Sequence, residues 1–355
     1  MLRQSRKLQH INQALRLYKT HQDSTLLSEI KLLHNCLPEL GLSDISLETE
    51  FLGKMIAAPL MINAITGGSD DVLEYNRRLA ALAARLNIPI AVGSQFSAVE
   101  KQEMRYTFEI VRELNPNGVV LGNVGAHADS SQAREIVNMI DADALQIHIN
   151  PAQELIMSEG DRDFKGYLPN ILAIASALDV PVVAKETGCG MAAAEVQKLV
   201  DGGIKYFDIG GAGGTNFLAI ESARADIQLE TEFLNWGVPT AASVLQAGSA
   251  LGKDDCLIAT GGIHSAMHIA KALALGADMA SMAMYFLELV HRQADTEACA
   301  AEVEQMLLDL KKIILLSGCS SANQLRNKKL YIGAQLRHWA ELCGLVAQQL
   351  SEQRR

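Results

Sequence analysis

Short apolar or β-branched runs recur along this chain after Pro or Gly and alternate with segments of helical period, which restricts the fold more than any other feature. Repeated βα units bury each strand under helices and build a parallel sheet. Eight candidate strands are read: Pro59 to Asn63, Ile90 to Gly93, Val119 to Asn123, Ala144 to Ile149, Val182 to Lys185, Tyr206 to Ile209, Leu257 to Thr260 and Asp278 to Met282. Between them, Tyr75 to Leu86, Ala128 to Ile140, Ala192 to Val200 and Ser265 to Leu275 place Ala, Leu, Ile and Val at three-to-four-residue spacing, which suits helices covering a barrel. Eight such units predict an α/β fold, a closed (β/α)₈ TIM barrel.

A chain of 355 residues could hold two average domains, yet a barrel with extensions occupies the same length. The expectation is one barrel domain, with an N-terminal arm over residues 1–58, the barrel over 59–286 and C-terminal helices over 287–350. A composition of 49% hydrophobic and only 5% aromatic residues fits an aliphatic core of parallel strands. The net charge of −10 argues against nucleic acid as a general partner while leaving room for a local basic pocket. Cys36, Cys189, Cys256, Cys299, Cys319 and Cys343 lie far apart, with no CxxC, and read as reduced thiols of a cytoplasmic protein. No apolar run approaches the roughly twenty residues of a membrane helix. Leu2 to His21 carries Arg3, Arg6, Lys7, Arg16 and Lys19 without an acid, but it lacks the Ser richness of a transit peptide.

In this fold the active site gathers at the C-terminal strand ends. Strand 1 exits into Ala64-Ile65-Thr66-Gly67-Gly68-Ser69, strand 2 into Gly93-Ser94-Gln95 and strand 3 into Gly122-Asn123-Val124-Gly125. Strand 5 ends Lys185-Glu186-Thr187-Gly188, and strand 6 runs into Gly210-Gly211-Ala212-Gly213-Gly214-Thr215-Asn216-Phe217. Glycines there permit close backbone approach and offer unhindered N–H groups to an anion. Strand 7 ends Thr260-Gly261-Gly262-Ile263 and opens a helix near His264, and strand 8 ends at Ala283-Met284. Glycines and helix starts after strands 7 and 8 match the usual barrel phosphate site. Connection 6, Gly210 to Cys256, is long enough for a flap and a helix from Pro239, with Glu221 to Glu232 expected to be mobile.

Strand 4 feeds the densest polar segment, LQIHINPAQELIMSEGDRDF at Leu145 to Phe164. Leu145, Ile147 and Ile149 alternate with Gln146, His148 and Asn150, so one strand face is aliphatic and the other bears hydrogen-bonding groups. Gln153, Glu154, Glu159, Asp161, Arg162 and Asp163 follow, offering carboxylates to a hard cation and donors to an anion. Local chemistry alone also allows a capping box at Asn150, Pro151 and Gln153, a satisfied core histidine at His148 and a solvated turn at Glu159 to Asp163. Lys185 shares inward parity with Val183 and so needs an anion, such as a reduced flavin; a Schiff-base lysine is the competing reading. Cys189 has no neighbouring basic group to activate it.

These residues together resemble the type 2, FMN-dependent isopentenyl-diphosphate isomerases. The resemblance spans nearly the whole chain: Arg6-Lys7 with His10, PLMINAITGGS from Pro59, VGSQ at Val92 to Gln95, LGN at Leu121 to Asn123, LQIHINPAQELIMSEGDRDF, VAKETGCGM, GGTNF, WGVPTAAS, and GGI followed by AKALALGAD. It implies that Ala64, Ile65, Thr66, Ser94, Asn123, Lys185, Gly210, Thr215, Gly261, Gly262, Ile263, Ala283 and Met284 hold FMN. It places the isoprenoid diphosphate on Arg6, Lys7, Ser94, Gln95, Phe96, His148 and Gln153, sets Mg²⁺ on Glu154, and gives catalysis to His148, Gln153 and Lys185. Phe96 stands where many members carry Arg, and Ala212 likewise replaces a frequent Arg. The implied reaction is a 1,3-allylic proton shift between isopentenyl and dimethylallyl diphosphate, with FMN reduced by NADPH or NADH. A homo-oligomer, tetramer or octamer, is implied, with the basic arm folding over the diphosphate pocket.

Two other classes stand beside this reading. An FMN-dependent oxidoreductase of the 2-hydroxy-acid oxidase kind shares barrel and phosphate site, but needs a base and an arginine just after strand 6, where this chain offers GGAGGTNF. A noncatalytic barrel that only binds a phosphorylated ligand would not require the complete polar rim.

Overall fold

The computed structural model describes residues 11–18 and 24–345. Eight parallel strands close into a barrel: β1 (Leu60–Ile62), β2 (Ile90–Ala91), β3 (Val120–Gly125), β4 (Ala144–Ile149), β5 (Val182–Glu186), β6 (Tyr206–Asp208), β7 (Cys256–Thr260) and β8 (Met279–Met282). All eight expected strands are present, most within one or two residues of their expected bounds. The helices follow as well: Asp70–Leu86, Ser130–Met139, Ala193–Asp201 and Ala266–Ala274 fall where apolar periodicity puts them, and Thr240–Ala250 begins at the expected Pro239.

Strand parity sorts the barrel interior into two layers. The lower inward positions are apolar, with Met61, Leu121, Val183, Ile258 and Met279 in one buried cluster, each worth about 1.5–3 kcal/mol of burial. One pleat higher, the same strands present Asn63, Asn123, Gln146, Lys185, Asp208, Thr260 and Ser281, all buried. The lower end is stoppered by an antiparallel hairpin, Thr49–Phe51 with Lys54–Ile56, whose Phe51 packs edge-on to Tyr206 with centroids 6.3 Å apart. Its turn residues Leu52 and Gly53 both take positive φ, 51° and 76°, the twist that tight hairpins favour.

Ile30–Leu32 pairs antiparallel with Leu330–Ile332 in a second small sheet. After β8 come helices Met284–Arg292, Thr296–Leu316 and Ala334–Glu341. At the upper mouth, helical residues 11–18 lay Ile11 and Leu15 on Met284 and Leu287. Ile11, Ala14 and Tyr18 thereby roof part of the cavity above the barrel.

Candidate active site

The polar layer is a connected network. Asp208 Oδ2 accepts from Lys185 Nζ at 3.2 Å, Asn63 Nδ2 at 2.7 Å and Gln146 Nε2 at 3.2 Å. Asn123 Nδ2 donates to Gln146 Oε1 at 3.1 Å, and Asn123 Oδ1 lies 2.9 Å from His148 Nδ1. Because the asparagine oxygen can only accept, Nδ1 carries the hydrogen and Nε2 is the acceptor nitrogen. Burial, with His127 and Lys185 nearby, pushes His148 down to about 3, so the ring is neutral at neutral pH. Lys185 finds its anion within the protein, in Asp208, whereas the sequence reading looked for it in a ligand.

Above this floor lies a cavity of about 840 Å³ reached by every strand end of the barrel. Its wall includes Ala64, Ile65, Thr66, Ser94, Asn123, Lys185, Gly210, Thr215, Gly261, Gly262, Ile263, Ala283 and Met284, which brings together every residue expected to hold the cofactor. The glycine-rich loops after β6 and β7 touch backbone to backbone. A Cβ on Gly262, where φ is +67°, would sit 2.1 Å from the Gly213 carbonyl oxygen. Helices Ala266–Ala274 and Met284–Arg292 begin at this wall, so two positive helix ends converge on one corner of the cavity.

On the β5 side, Glu186 Oε2 accepts the backbone N–H groups of Gly188, Cys189 and Gly190 at 2.6–2.9 Å. Burial pushes this carboxyl up to about 7 despite those bonds. The loop it folds presses on the β6 loop: a Cβ on Gly210 would lie 2.1 Å from the Glu186 carbonyl oxygen. Cys189 is raised to about 12 by burial and by Glu186, so the thiol stays protonated.

The segment after β4 supplies the opposite wall. Pro151 occupies the first turn of helix Pro151–Ile156, but Asn150 makes no side-chain cap. Instead Asn150 Nδ2 donates to Gln153 Oε1 at 3.2 Å and Glu154 Oε1 at 3.0 Å, so the expected capping box is replaced by side-chain orientation of the two residues. Gln153 Nε2 donates to Glu221 Oε1 at 3.0 Å. Glu221 is fully enclosed within helix Phe217–Ala225. Connection 6 does hold a long excursion, but it folds as helices Phe217–Ala225, Thr231–Leu234 and Thr240–Ala250.

One expected substrate contact is not placed in the cavity. Gln95 is fully buried behind β3: Nε2 bonds the Ile136 carbonyl at 3.1 Å and the Met139 sulfur, and Oε1 accepts the Asn123 N–H at 3.0 Å. Its amide pins helix Ser130–Met139 to the barrel, satisfying buried backbone groups that would otherwise be orphaned. Ser94, Phe96, His148, Gln153 and Glu154 do line the cavity, with Phe96 edge-on to His127 at 4.9 Å. Arg6, Lys7 and His10 lie outside the described residues.

No protein-family model matches the chain. Proteins named isopentenyl-diphosphate delta-isomerase do: that of Moorella thermoacetica is 44% identical over 337 residues, covering 95% of each chain. That of Bacillus licheniformis is 42% identical, over 97% of this chain and 98% of its own. The chain belongs to the isopentenyl-diphosphate delta-isomerase family. A further member, that of Methanopyrus kandleri, is 39% identical over 96% of this chain and 95% of its own. Solved structures with the same fold include a mandelate oxidase, with TM-score 0.65 and 14% identity over 91% of this chain and 98% of that one. A mandelate oxidase mutant with a monooxide FMN adduct has TM-score 0.63, with 16% identity over 87% and 90% of the two chains.

Within this isomerase family member, sequence reasoning placed Gln146 on the hydrogen-bonding face of strand 4 without giving it a partner, and missed Asn63, Asp208 and Glu221. Strand parity could have found Asn63 and Asp208, which lie two residues above the inward Met61 and Tyr206. Glu221 carried no such signal, because only the fold of connection 6 brings it to Gln153.

Proposed function

We propose that this protein interconverts isopentenyl diphosphate and dimethylallyl diphosphate by a 1,3-allylic proton shift, using reduced FMN and Mg²⁺, with NADPH or NADH supplying the flavin's electrons. The observation that carries this reading is kinship along both full lengths with named isomerases, joined to a cavity that retains His148, Gln153, Glu154 and Lys185. Among the described residues the cavity wall contains no arginine, which disfavours a 2-hydroxy-acid oxidase.

The residues fit FMN. The loops at Gly213 and Gly262 pack so closely on each other and on Thr25 that neither position admits a Cβ, which leaves their backbone free to line the cavity; the helix starts beside them suit a phosphate, and a cavity of about 840 Å³ is in the ordinary range for a cofactor with its substrate. Thr66, Ser94, Asn123 and Lys185 would meet the ring system, with Gly261, Gly262, Ile263, Ala283 and Met284 around the phosphate. Reduced FMN, when bound, supplies an electron-rich surface and an acid/base nitrogen beside the alkene.

The residues also fit Mg²⁺ in one particular way. Among the described residues no group of three or more His, Cys, Asp or Glu could hold a metal. A single carboxylate, Glu154, with phosphate oxygens and water completing the shell, is the pattern magnesium accepts.

The chain's own groups then divide the work. Neutral His148 presents an acceptor nitrogen, and the Lys185–Asp208 pair sets an ammonium donor in the cavity floor. Gln153, held between Asn150 and Glu221, is oriented as a relay: its carboxamide oxygen can take a proton from the substrate's allylic carbon as Nε2 releases one to the Glu221 carboxylate, and the reverse transfer restores the amide. The arm over the mouth and the enclosed floor exclude water from cationic character developing at the alkene. Homo-oligomerisation and a cytoplasmic setting belong to the same reading, the former tested by light scattering. The decisive experiment is a flavin spectrum of the purified protein followed by anaerobic reduction and an isomerisation assay with Mg²⁺. Turnover is expected only after reduction, and its absence under those conditions overturns the proposal.

A further inference from the structure

One guanidinium spans the two walls of the cavity. Arg224 Nε donates to Glu221 Oε2 at 2.6 Å, and its Nη2 donates to both oxygens of Glu159 at 3.0 and 3.1 Å. Glu221 lies on the β6 side and faces Gln153. Glu159 belongs to the loop after helix Pro151–Ile156. The fork of an arginine can engage two carboxylates in fixed directions, which a lysine cannot.

That loop is built around Glu154. Arg162 Nη1 binds the carbonyls of Glu154, Gly160 and Asp161 at 2.6–3.0 Å, and Nη2 that of Met157 at 2.5 Å. The Asp161 N–H donates to Glu154 Oε2 at 3.0 Å. Gly160 presses so closely that a Cβ there would lie 2.1 Å from the Glu154 carbonyl oxygen. Any shift of the loop therefore reaches the Glu154 carboxylate.

We propose that Arg224 is a positioning residue that couples the two halves of the site, holding Glu221 toward Gln153 while tying the Glu159 loop that orients Glu154. The inference rests on the isomerase reading for what the two halves do, but the tie itself is a property of this chain. The Glu159–Asp163 segment thereby acquires a role, as the arm through which placement at the proton-transfer end and placement at the metal end are linked. Misplacement of reacting groups by about 1 Å can cost on the order of a hundredfold in rate, so a single tie serving both ends has a large effect on turnover.

The experiment compares the FMN-loaded full chain with Arg224→Gln, Arg224→Lys and Glu159→Gln. It reads amide hydrogen exchange over residues 157–165, the half-saturating Mg²⁺ concentration, and kcat at saturating Mg²⁺ with isopentenyl diphosphate. Arg224→Gln is expected to speed exchange of the loop about tenfold or more, to raise the Mg²⁺ requirement, and to lower kcat by about tenfold or more. Glu159→Gln shares the exchange and Mg²⁺ effects but keeps kcat within about threefold, because the Arg224–Glu221 contact remains. Arg224→Lys falls between, since an ammonium group serves one carboxylate at a time. Loop exchange and Mg²⁺ requirement both unchanged in Glu159→Gln, a substitution at a part-exposed position, would overturn the proposal even if Arg224→Gln fails to fold. If wild type shows no isomerisation, the isomerase reading falls and loop exchange alone decides the tie.

Discussion

Lys185 and Asp208 are register partners on adjacent strands and meet inside the barrel, Nζ to Oδ2 at 3.2 Å, with Asp208 wholly enclosed. Asp208 Oδ2 gathers donors from Asn63, Gln146 and Lys185, while its Oδ1 has no hydrogen-bond partner among the described residues. Breaking a buried pair by removing one partner costs about 3–5 kcal/mol, because the other charge is left behind. Asp208→Asn and Lys185→Met are each expected to lose stability on that scale in urea denaturation. The double variant should lose clearly less than the sum of the two. Additive losses would mean that the pair does not act as a unit.

Gln153 is the residue through which the Glu221 carboxylate meets the cavity, 3.0 Å from amide nitrogen to carboxylate oxygen. Gln153→Ala breaks this link while leaving the deep network of Asn63, Gln146 and Asp208 intact. A fall in kcat of about 10²–10⁴ is expected, the range of a lost proton-transfer group, with FMN binding retained. The measurement is steady-state isomerisation with flavin content fixed by absorbance. A drop confined to KM would assign Gln153 to uniform substrate binding instead.

His148 and Glu186 give opposite pH dependences. His148 is pushed down to about 3 from 6.5, so between those values the unfolded chain holds the extra proton and stability rises with pH. Glu186 is pushed up to about 7 from 4.5, so between those values the folded protein holds the extra proton and stability falls as pH rises. From pH 4.5 to 6.5 the two partly cancel. His148→Asn should therefore flatten the rise of stability between pH 3 and 6.5, and Glu186→Gln should steepen the net rise between 4.5 and 6.5 and remove the fall between 6.5 and 7. Denaturation midpoints across that range check both, and a Glu186→Gln profile parallel to wild type would contradict the assignment.

The barrel was legible because it repeats: eight runs of period two between helices of period 3.6 leave one closed solution, and strand ends then point to the cavity. His148, Gln153 and Glu154 could be read because they crowd one strand end. Gln95 misled because it lies past the end of β2, at the N-cap of helix Phe96–Glu100 with φ −87° and ψ 0°, and there its amide turns back to the Asn123 N–H and the Ile136 carbonyl while its neighbour Ser94 faces the cavity. Glu221 and Arg224 were invisible for another reason. Their i,i+3 pairing looks like any surface helix pair, and only the return of connection 6 across the mouth buries it against Gln153.

Gly262 is the position where the cofactor pocket depends most on the absence of a side chain. Its φ is +67°, and an added Cβ would meet the Gly213 carbonyl oxygen at 2.1 Å and the Thr25 methyl at 2.4 Å. Alanine there incurs both the left-handed backbone cost of about 1–2 kcal/mol and a clash with backbone that cannot rotate away. The loops after β6 and β7 must separate to accept it, which widens the cradle proposed for the FMN phosphate. Gly262→Ala is expected to fold, because the layers below the cavity are untouched, and to be isolated with little flavin. Its FMN dissociation constant, measured by fluorescence quenching, should rise by about tenfold or more, the equivalent of about 1.4 kcal/mol. Gly248→Ala supplies the control: that helix glycine has only the Leu257 side chain within reach, at 3.9 Å, so flavin affinity there should be unchanged. Equal affinity in the Gly262 and Gly248 variants would place the phosphate away from the β6–β7 cradle.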